Sequence, residues 1–397
     1  MDRQEDSFRP SPHHRLGLEQ LLSSLPRSDQ RRIAEAYVRG LLHAEGRKTL
    51  QNIARHAGGS GAQNIHHFIS GSSWQWAPVR ETLARRAQQL LPQGAWVIKD
   101  IVIPKSGQQS VGVDRHFLPR LGRTVTGQRA FGAWLVSQDA AVPVNWSLFL
   151  SRKWLGDPDL RRRANIPEGL RATRPEEAAC HVAVSTVRGQ GLRPRPVVVD
   201  VEGFDASLCA WKLARAGVPV VVRIPPDTPL TVDTSVLGGY SPAPTPACQL
   251  VSSMRWFRHR PDGHRIVRIG FGGTAVTTVP VLMPSPGTGA APAGPEALPM
   301  LLVAEWGAHG TATRLWLVDS RRVPWTCMPG LVALPTVVDR DGAAVSERVG
   351  IRDFAGRSFD GWHRHVTLAS AAHLLVTLHG QEPQPDACPA APVRGCA

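Results

Sequence analysis

From Leu18 to about Leu91 apolar residues recur at helical spacing: Ile33, Tyr37 and Leu41 form one stripe, and Val79, Leu83, Ala87 and Leu90 repeat it. This predicts a small, basic helical domain. From about Trp96 the period shortens. The runs at 96–103, around 110–113, and at Ala130–Val136 predict strands, and the last, almost wholly apolar, suits a sheet interior. A polar and basic connection, Asp157–Arg163, follows. Val197–Asp200 then predicts a strand, and Phe204, Leu208 and Trp211 share the face of a helix that stops at Gly217. Val218–Ile224 returns as a strand, completing a crossover of the α/β kind.

Beyond Pro225 short apolar runs punctuated by Gly and Pro predict a β-rich insertion, with no helix until about Leu331. Two Pro/Gly/Ala-rich loops, 241–247 and 284–299, offer little apolar surface to bury. Helices are predicted from about Pro335 to Val349 and from Trp362 to Leu378. The first dozen or so residues, and the tail from Gly380, read as loose. At roughly 150 residues per domain, 397 residues predict two or three units. The expected division is a helical, DNA-binding domain over 1–92, a mixed α/β domain over 93–224 and 327–380, the β-rich insertion over 225–326, and a disordered tail over 381–397.

The charge narrows the partner. Lys and Arg total 46 against 32 Asp and Glu, a formal net charge of +14, which attracts polyanions at long range. Most of these cations are Arg, whose planar fork suits bidentate phosphate contacts. Six scattered cysteines without a C-x-x-C pair fit neither a disulfide framework nor a zinc ribbon. Met1–Asp6 lacks the apolar core of a signal peptide, and no run reaches the roughly 20 apolar residues of a membrane span. A soluble, cytoplasmic, nucleoid-associated protein with no membrane partner is expected.

Two strands each deliver an aspartate: Ala95-Trp96-Val97-Ile98-Lys99-Asp100 and Pro196-Val197-Val198-Val199-Asp200. Carboxylates on neighbouring strands are how a protein holds a divalent cation over a phosphodiester. Aspartate is disfavoured inside strands, so Asp100 needs a reason, although a lone strand-end aspartate is often only a turn cap. A third acid is sought on the helix after the insertion. There Val338, Gly342, Val345 and Val349 form the apolar stripe, with Asp339 at its border and Glu347 the competing choice. Glu305, in a strand of the insertion, reads as structural. Lys105, Arg115 and Arg123 are candidate DNA-backbone ligands near the first acid. Arg255-Trp256-Phe257-Arg258-His259-Arg260 interleaves cations with aromatics, so Arg255, Trp256 and Arg258 are candidates too, against the plainer reading that the rings pack the β core. His363 and His365 do not share a helical face, which argues against a histidine metal site. Gly270–Thr274 lacks the lysine of a phosphate-binding loop and reads as a turn.

These residues resemble the bacterial insertion-sequence transposases with a DDE catalytic core, specifically the insertion-sequence-701 type, over most of residues 20–380. The strongest parts are Trp96–Gly107 with Ser110–Val113, Val197–Gly203, and Asp353–Phe359 running into Gly361–Leu368. The resemblance implies an RNase H-like mixed sheet flanked by helices, interrupted by the β-rich insertion, that cuts transposon ends and joins them to target DNA. It implies Asp100 as first acid bridging two Mg²⁺ or Mn²⁺ ions, with Asp200 and Asp339 holding one each. Duplex DNA, as terminal inverted repeats and target, would be the partner, engaged by a homodimer. The chain departs from the pattern in five places. Aspartate stands at 339 where a glutamate is usual, and the basic residues that flank that glutamate fall on Pro335 and Ser346. Lys99 and Ile101 stand where many relatives have an acid and a threonine. A degenerate or domesticated DNA-binding protein with weak or no strand transfer is therefore the second expectation, and a nuclease without joining the third.

Overall fold

A computed structural model describes residues 12–171, 174–254, 267–268, 275–283, 297–306 and 312–381. The chain opens with helices α1 (Pro12–Leu22), α2 (Ser28–His43), α3 (Leu50–Arg55), α4 (Ala62–His66) and α5 (Ala77–Leu90). The stripes of α2 and α5 turn inward, burying Tyr37, Val38 and Leu41 on one helix and Val79, Leu83 and Ala87 on the other. These helices do not stand apart from the rest: the Tyr37 hydroxyl lies 2.8 Å from His365 Nδ1, far along the chain.

Strands β1 (Ala95–Pro104), β2 (Val113–Leu118), β3 (Arg123–Val136) and β4 (Ala141–Leu148) follow as an antiparallel set, then helices α6 (Arg152–Gly156), α7 (Pro158–Ala164) and α8 (Pro175–Val187). β5 (Val197–Asp200), α9 (Ala206–Arg215) and β6 (Val220–Ile224) form the crossover, and β1, β5 and β6 run parallel. Gly203, at φ 65°, makes the left-handed turn that leads from β5 towards α9.

The segment read as an insertion contributes β7 (Pro229–Val232), β8 (Thr245–Pro246), α10 (Ala247–Met254), β9 (Val267–Arg268), β10 (Ala275–Met283), β11 (Leu298–Trp306) and β12 (Ala312–Val318). It is rich in strands, but these extend the central sheet: β12 pairs antiparallel with β6, and the sheet runs β2-β3-β1-β5-β6-β12-β11-β10-β7-β8. The helix α10 lies where the Gly/Pro texture predicted none. The chain ends in α11 (Met328–Asp341) and α12 (Phe359–Gln381). α11 starts about two turns earlier than its apolar stripe suggested, because Pro329 is pre-set for a first helical turn while Pro335 sits inside the helix. The whole is a mixed α/β sheet flanked by helices, as an RNase H-like domain requires. The expected loose ends are shorter than read, since Pro12 opens α1 and Gly380 and Gln381 close α12; the rest of them, the loop at 284–296, the glycine turn at 270–274, and Arg255, Trp256 and Arg258 lie outside the described residues.

Both faces of β1 are covered. Trp96 and Ile98 join Phe131, Ala133, Val197, Val199 and the helices α8 and α9 on one side. Ala95 and Val97 join Trp134, Val198, Val221, Trp316 and the helices α11 and α12 on the other. No helix among the described residues is long and apolar enough to cross a membrane.

Candidate active site

Strand register decides which side chains meet. β1 and β5 are parallel neighbours with Val97 opposite Val198, Ile98 opposite Val199 and Lys99 opposite Asp200. Directly paired residues project to the same face, and successive residues along a strand to opposite faces. Lys99 and Asp200 therefore share the face covered by α11, and Asp100 projects to the other. The helix completes the arrangement. Val338 is buried against the sheet, and the next residue, Asp339, lies half-exposed at the helix border, where it reaches Lys99.

The Lys99 ammonium is the centre of the cluster. Its Nζ stands 3.0 Å from Asp200 Oδ2 and 2.6 Å from Asp339 Oδ1, with the Pro335 carbonyl at 3.5 Å. Asp200 Oδ1 accepts from Arg223 on β6 at 2.8 Å, so both of its oxygens are engaged by cations. The Lys99 and Asp200 side chains are 7% and 5% exposed, whereas that of Asp339 is 54% exposed. Burial alone would raise the Asp200 carboxyl, but Lys99 and Arg223 outweigh it and hold the group below the usual carboxylate range.

Asp100 is occupied elsewhere. Its Oδ2 accepts from Arg129 at 2.8 Å, and Arg129 also donates to the Glu202 carbonyl and lies over the Phe131 ring of the same face. Burial raises the Asp100 carboxyl despite Arg129. Glu202 bonds Arg223 at 2.7 Å and Arg120 at 2.9 Å. Gly132, opposite Lys99 on β3, leaves room that a Cβ would contest with the Trp146 ring at 2.7 Å.

The three acids expected to converge thus divide. Asp200 and Asp339 meet through Lys99; Asp100 borders the same cleft of about 350 Å³ but turns its carboxylate to the reverse of the sheet. Glu347 lines that cleft too and pairs with Arg352 at 3.3 Å. Glu305 is buried in the sheet beside Arg314 and is not part of the cleft lining. Lys105 is not a free DNA ligand, since its ammonium donates to the Phe354 carbonyl at 2.6 Å. Arg115 and Arg123 are exposed, but the pairing of Arg115 with Thr126 and of Leu118 with Arg123 puts them on opposite faces of the hairpin. His363 and His365 are core residues bonded to Arg80 and Tyr37.

Sequence reasoning passed over the basic groove beside the cleft. Arg47, Lys48, Arg348 and Arg352 line it together with Glu45, Glu347 and Asp353, and Arg352 and Glu347 border both spaces. Arg120, half-exposed, stands at the other side of the cleft. Only the fold brings residues 47, 120 and 352 together.

A divalent cation prefers oxygen ligands with net negative charge around them. Here Lys99, Arg120, Arg129 and Arg223 face Asp100, Asp200, Glu202 and Asp339 in direct ion pairs, four charges of each sign. Among the described residues no group of three or more His, Cys, Asp or Glu side chains is placed to hold a metal ion. The donor set as it stands does not fit a pair of divalent metal ions.

The comparisons with known proteins agree with the scaffold. A curated relative, the "Probable transposase for insertion sequence element IS701" of Microchaete diplosiphon, is 26% identical over 159 residues. That match spans 39% of this chain and 38% of the relative. The family model described as "DDE superfamily endonuclease" matches residues 20–246, which run from α1 through β1 and β5 to β8. More than half of the chain is covered by that match, and the chain belongs to the DDE superfamily endonucleases.

Proposed function

We propose that this protein is a DNA-binding protein of transposase descent, which holds the terminal repeats of an insertion sequence as duplex DNA and, with its present side chains, does not cut them. Family membership and the curated transposase relative support a substrate of this kind. So does the net charge of +14, together with the groove of Arg47, Arg348 and Arg352 that opens into the acid-bearing cleft. Two copies pairing two ends belong to the same proposal. The observation that carries the absence of cutting is the Lys99 ammonium seated between Asp200 and Asp339.

The rival reading is an active transposase that cuts those ends and joins them to target DNA. It draws on the RNase H-like scaffold and on the presence of Asp200, Asp339 and Glu347 around one cleft. A labelled duplex carrying the repeats that flank the gene separates the two. The protein is expected to shift the duplex, with affinity falling steeply as salt rises, and to leave both strands intact with Mg²⁺ or Mn²⁺. Metal-dependent nicks at the repeat ends, lost on Asp200→Asn, would establish the rival reading instead.

A further inference from the structure

We infer that Lys99 takes the cation's place in this cleft: its ammonium closes the two carboxylates that share a face, and the chain holds no divalent metal there. The inference rests on the reading of the cleft as the DNA-processing site of the family, and it concerns what fills that site.

The geometry is that of a built-in counter-ion. An ammonium has three N–H donors and no acceptor. Lys99 finds three oxygens, from Asp200, Asp339 and the Pro335 carbonyl. The side chain is almost wholly buried where β1 meets α11, at the wall of the cleft. Register makes the placement obligatory: any residue at position 99 stands beside Asp200, and residue 100 stands behind it. The remaining acids of the cleft are paired, Asp100 with Arg129, Glu202 with Arg120 and Arg223, and Glu347 with Arg352. A metal ion entering between Asp200 and Asp339 would have to displace the ammonium or sit against it.

Position 99 consequently sets whether the cleft takes a metal. An aspartate there would place a carboxylate beside Asp200 and across from Asp339, with Arg223 left to neutralise only part of the charge. Mn²⁺ binding to the full-length protein, read by the loss of the free-ion paramagnetic resonance signal, tests this. The wild type is expected to show no Mn²⁺ site that Asp200→Asn removes. Lys99→Asp is expected to bind Mn²⁺ at least about tenfold more tightly than the wild type, to lose that site when Asp200→Asn is added, and to melt at a higher temperature with the ion than without it. Lys99→Asn, which removes the cation without adding a third carboxylate, is expected to fall between. Should neither variant fold, the wild-type titration alone decides. The inference is overturned if the wild type holds Mn²⁺ through Asp200, or if folded Lys99→Asp and Lys99→Asn bind no better than wild type. A gel shift on the same preparations keeps the questions apart: intact DNA binding with an overturned metal result removes the role of Lys99 and leaves the DNA-binding reading, whereas loss of the shift in the wild type removes that reading.

Discussion

At the scale of the residue, the pair Lys99–Asp200 is buried and the pair Lys99–Asp339 is not. Removing one partner of a buried pair strands the other charge, which costs far more than an exposed pair contributes. Lys99→Met is expected to lose about 2 kcal/mol of stability, less than the usual cost because Arg223 stays on Asp200. Asp339→Asn is expected to lose less than about 1 kcal/mol. Urea midpoints of the two variants check the order; an Asp339→Asn loss equal to that of Lys99→Met would contradict it. Why Asp100 looked like the site residue is equally physical. Ala95–Ile98 are apolar without alternation because β1 is covered on both faces, so the strand's own sequence does not say which face is which. The pairing of Lys99 with Asp200 supplies that information, and it belongs to the fold. The one hint in the sequence was Lys99 standing where relatives have an acid.

Among the elements, α12 ties the helical N-terminus to the sheet. It is buried almost along its length, and its polar residues face inward: His373 bonds the Ala141 carbonyl, His365 bonds Tyr37 and the Gly350 carbonyl, and Arg364 reaches the Ile69 and Trp74 carbonyls. Burial drives His365 and His373 down from 6.5 to about 4. The sign follows. The unfolded chain takes up protons at these rings near pH 6.5 and the native chain only near 4, so stability is full above about 6.5 and falls as the pH drops. The loss is on the order of 2 kcal/mol per ring by about pH 5. Urea unfolding at about pH 7.5 and pH 5 should show it, and His373→Gln should flatten the dependence; an unchanged midpoint would contradict the assignment. This helix was legible from its apolar content, as were β5 and β6 from their apolar runs and α9 from its stop at Gly217. Strand β4 and helix α8 were not read, because their polar residues, Asn145 among them, interrupt the pattern to bond partners distant in sequence.

Across the whole molecule, the sheet runs without a break from the hairpin of β2 and β3 to β10 and β7, so the strand-rich segment after β6 braces the strand that carries Arg223. The groove is assembled from two regions, through Arg47 and the pair Arg348 and Arg352, and Arg120 stands across the adjoining cleft. Charge at these positions should act on DNA through phosphates and therefore without regard to base sequence. Arg348→Glu combined with Arg352→Glu is expected to weaken duplex binding by about tenfold or more and to reduce the slope of log affinity against log salt by about 2. A salt slope equal to that of wild type would show that DNA takes another path. Net charge was legible from composition, but its concentration beside one cleft was not, since nothing local links residues 47 and 352.

The place of Lys99 in β1 has a genetic consequence. Lysine and glutamate codons differ only in their first base, so a point substitution exchanges an ammonium for a carboxylate beside Asp200 while strand, register and neighbours stay as they are. A single nucleotide thus separates an ammonium from a carboxylate at the centre of the cleft, and the proposed loss of cutting is open to change by ordinary mutation at this position.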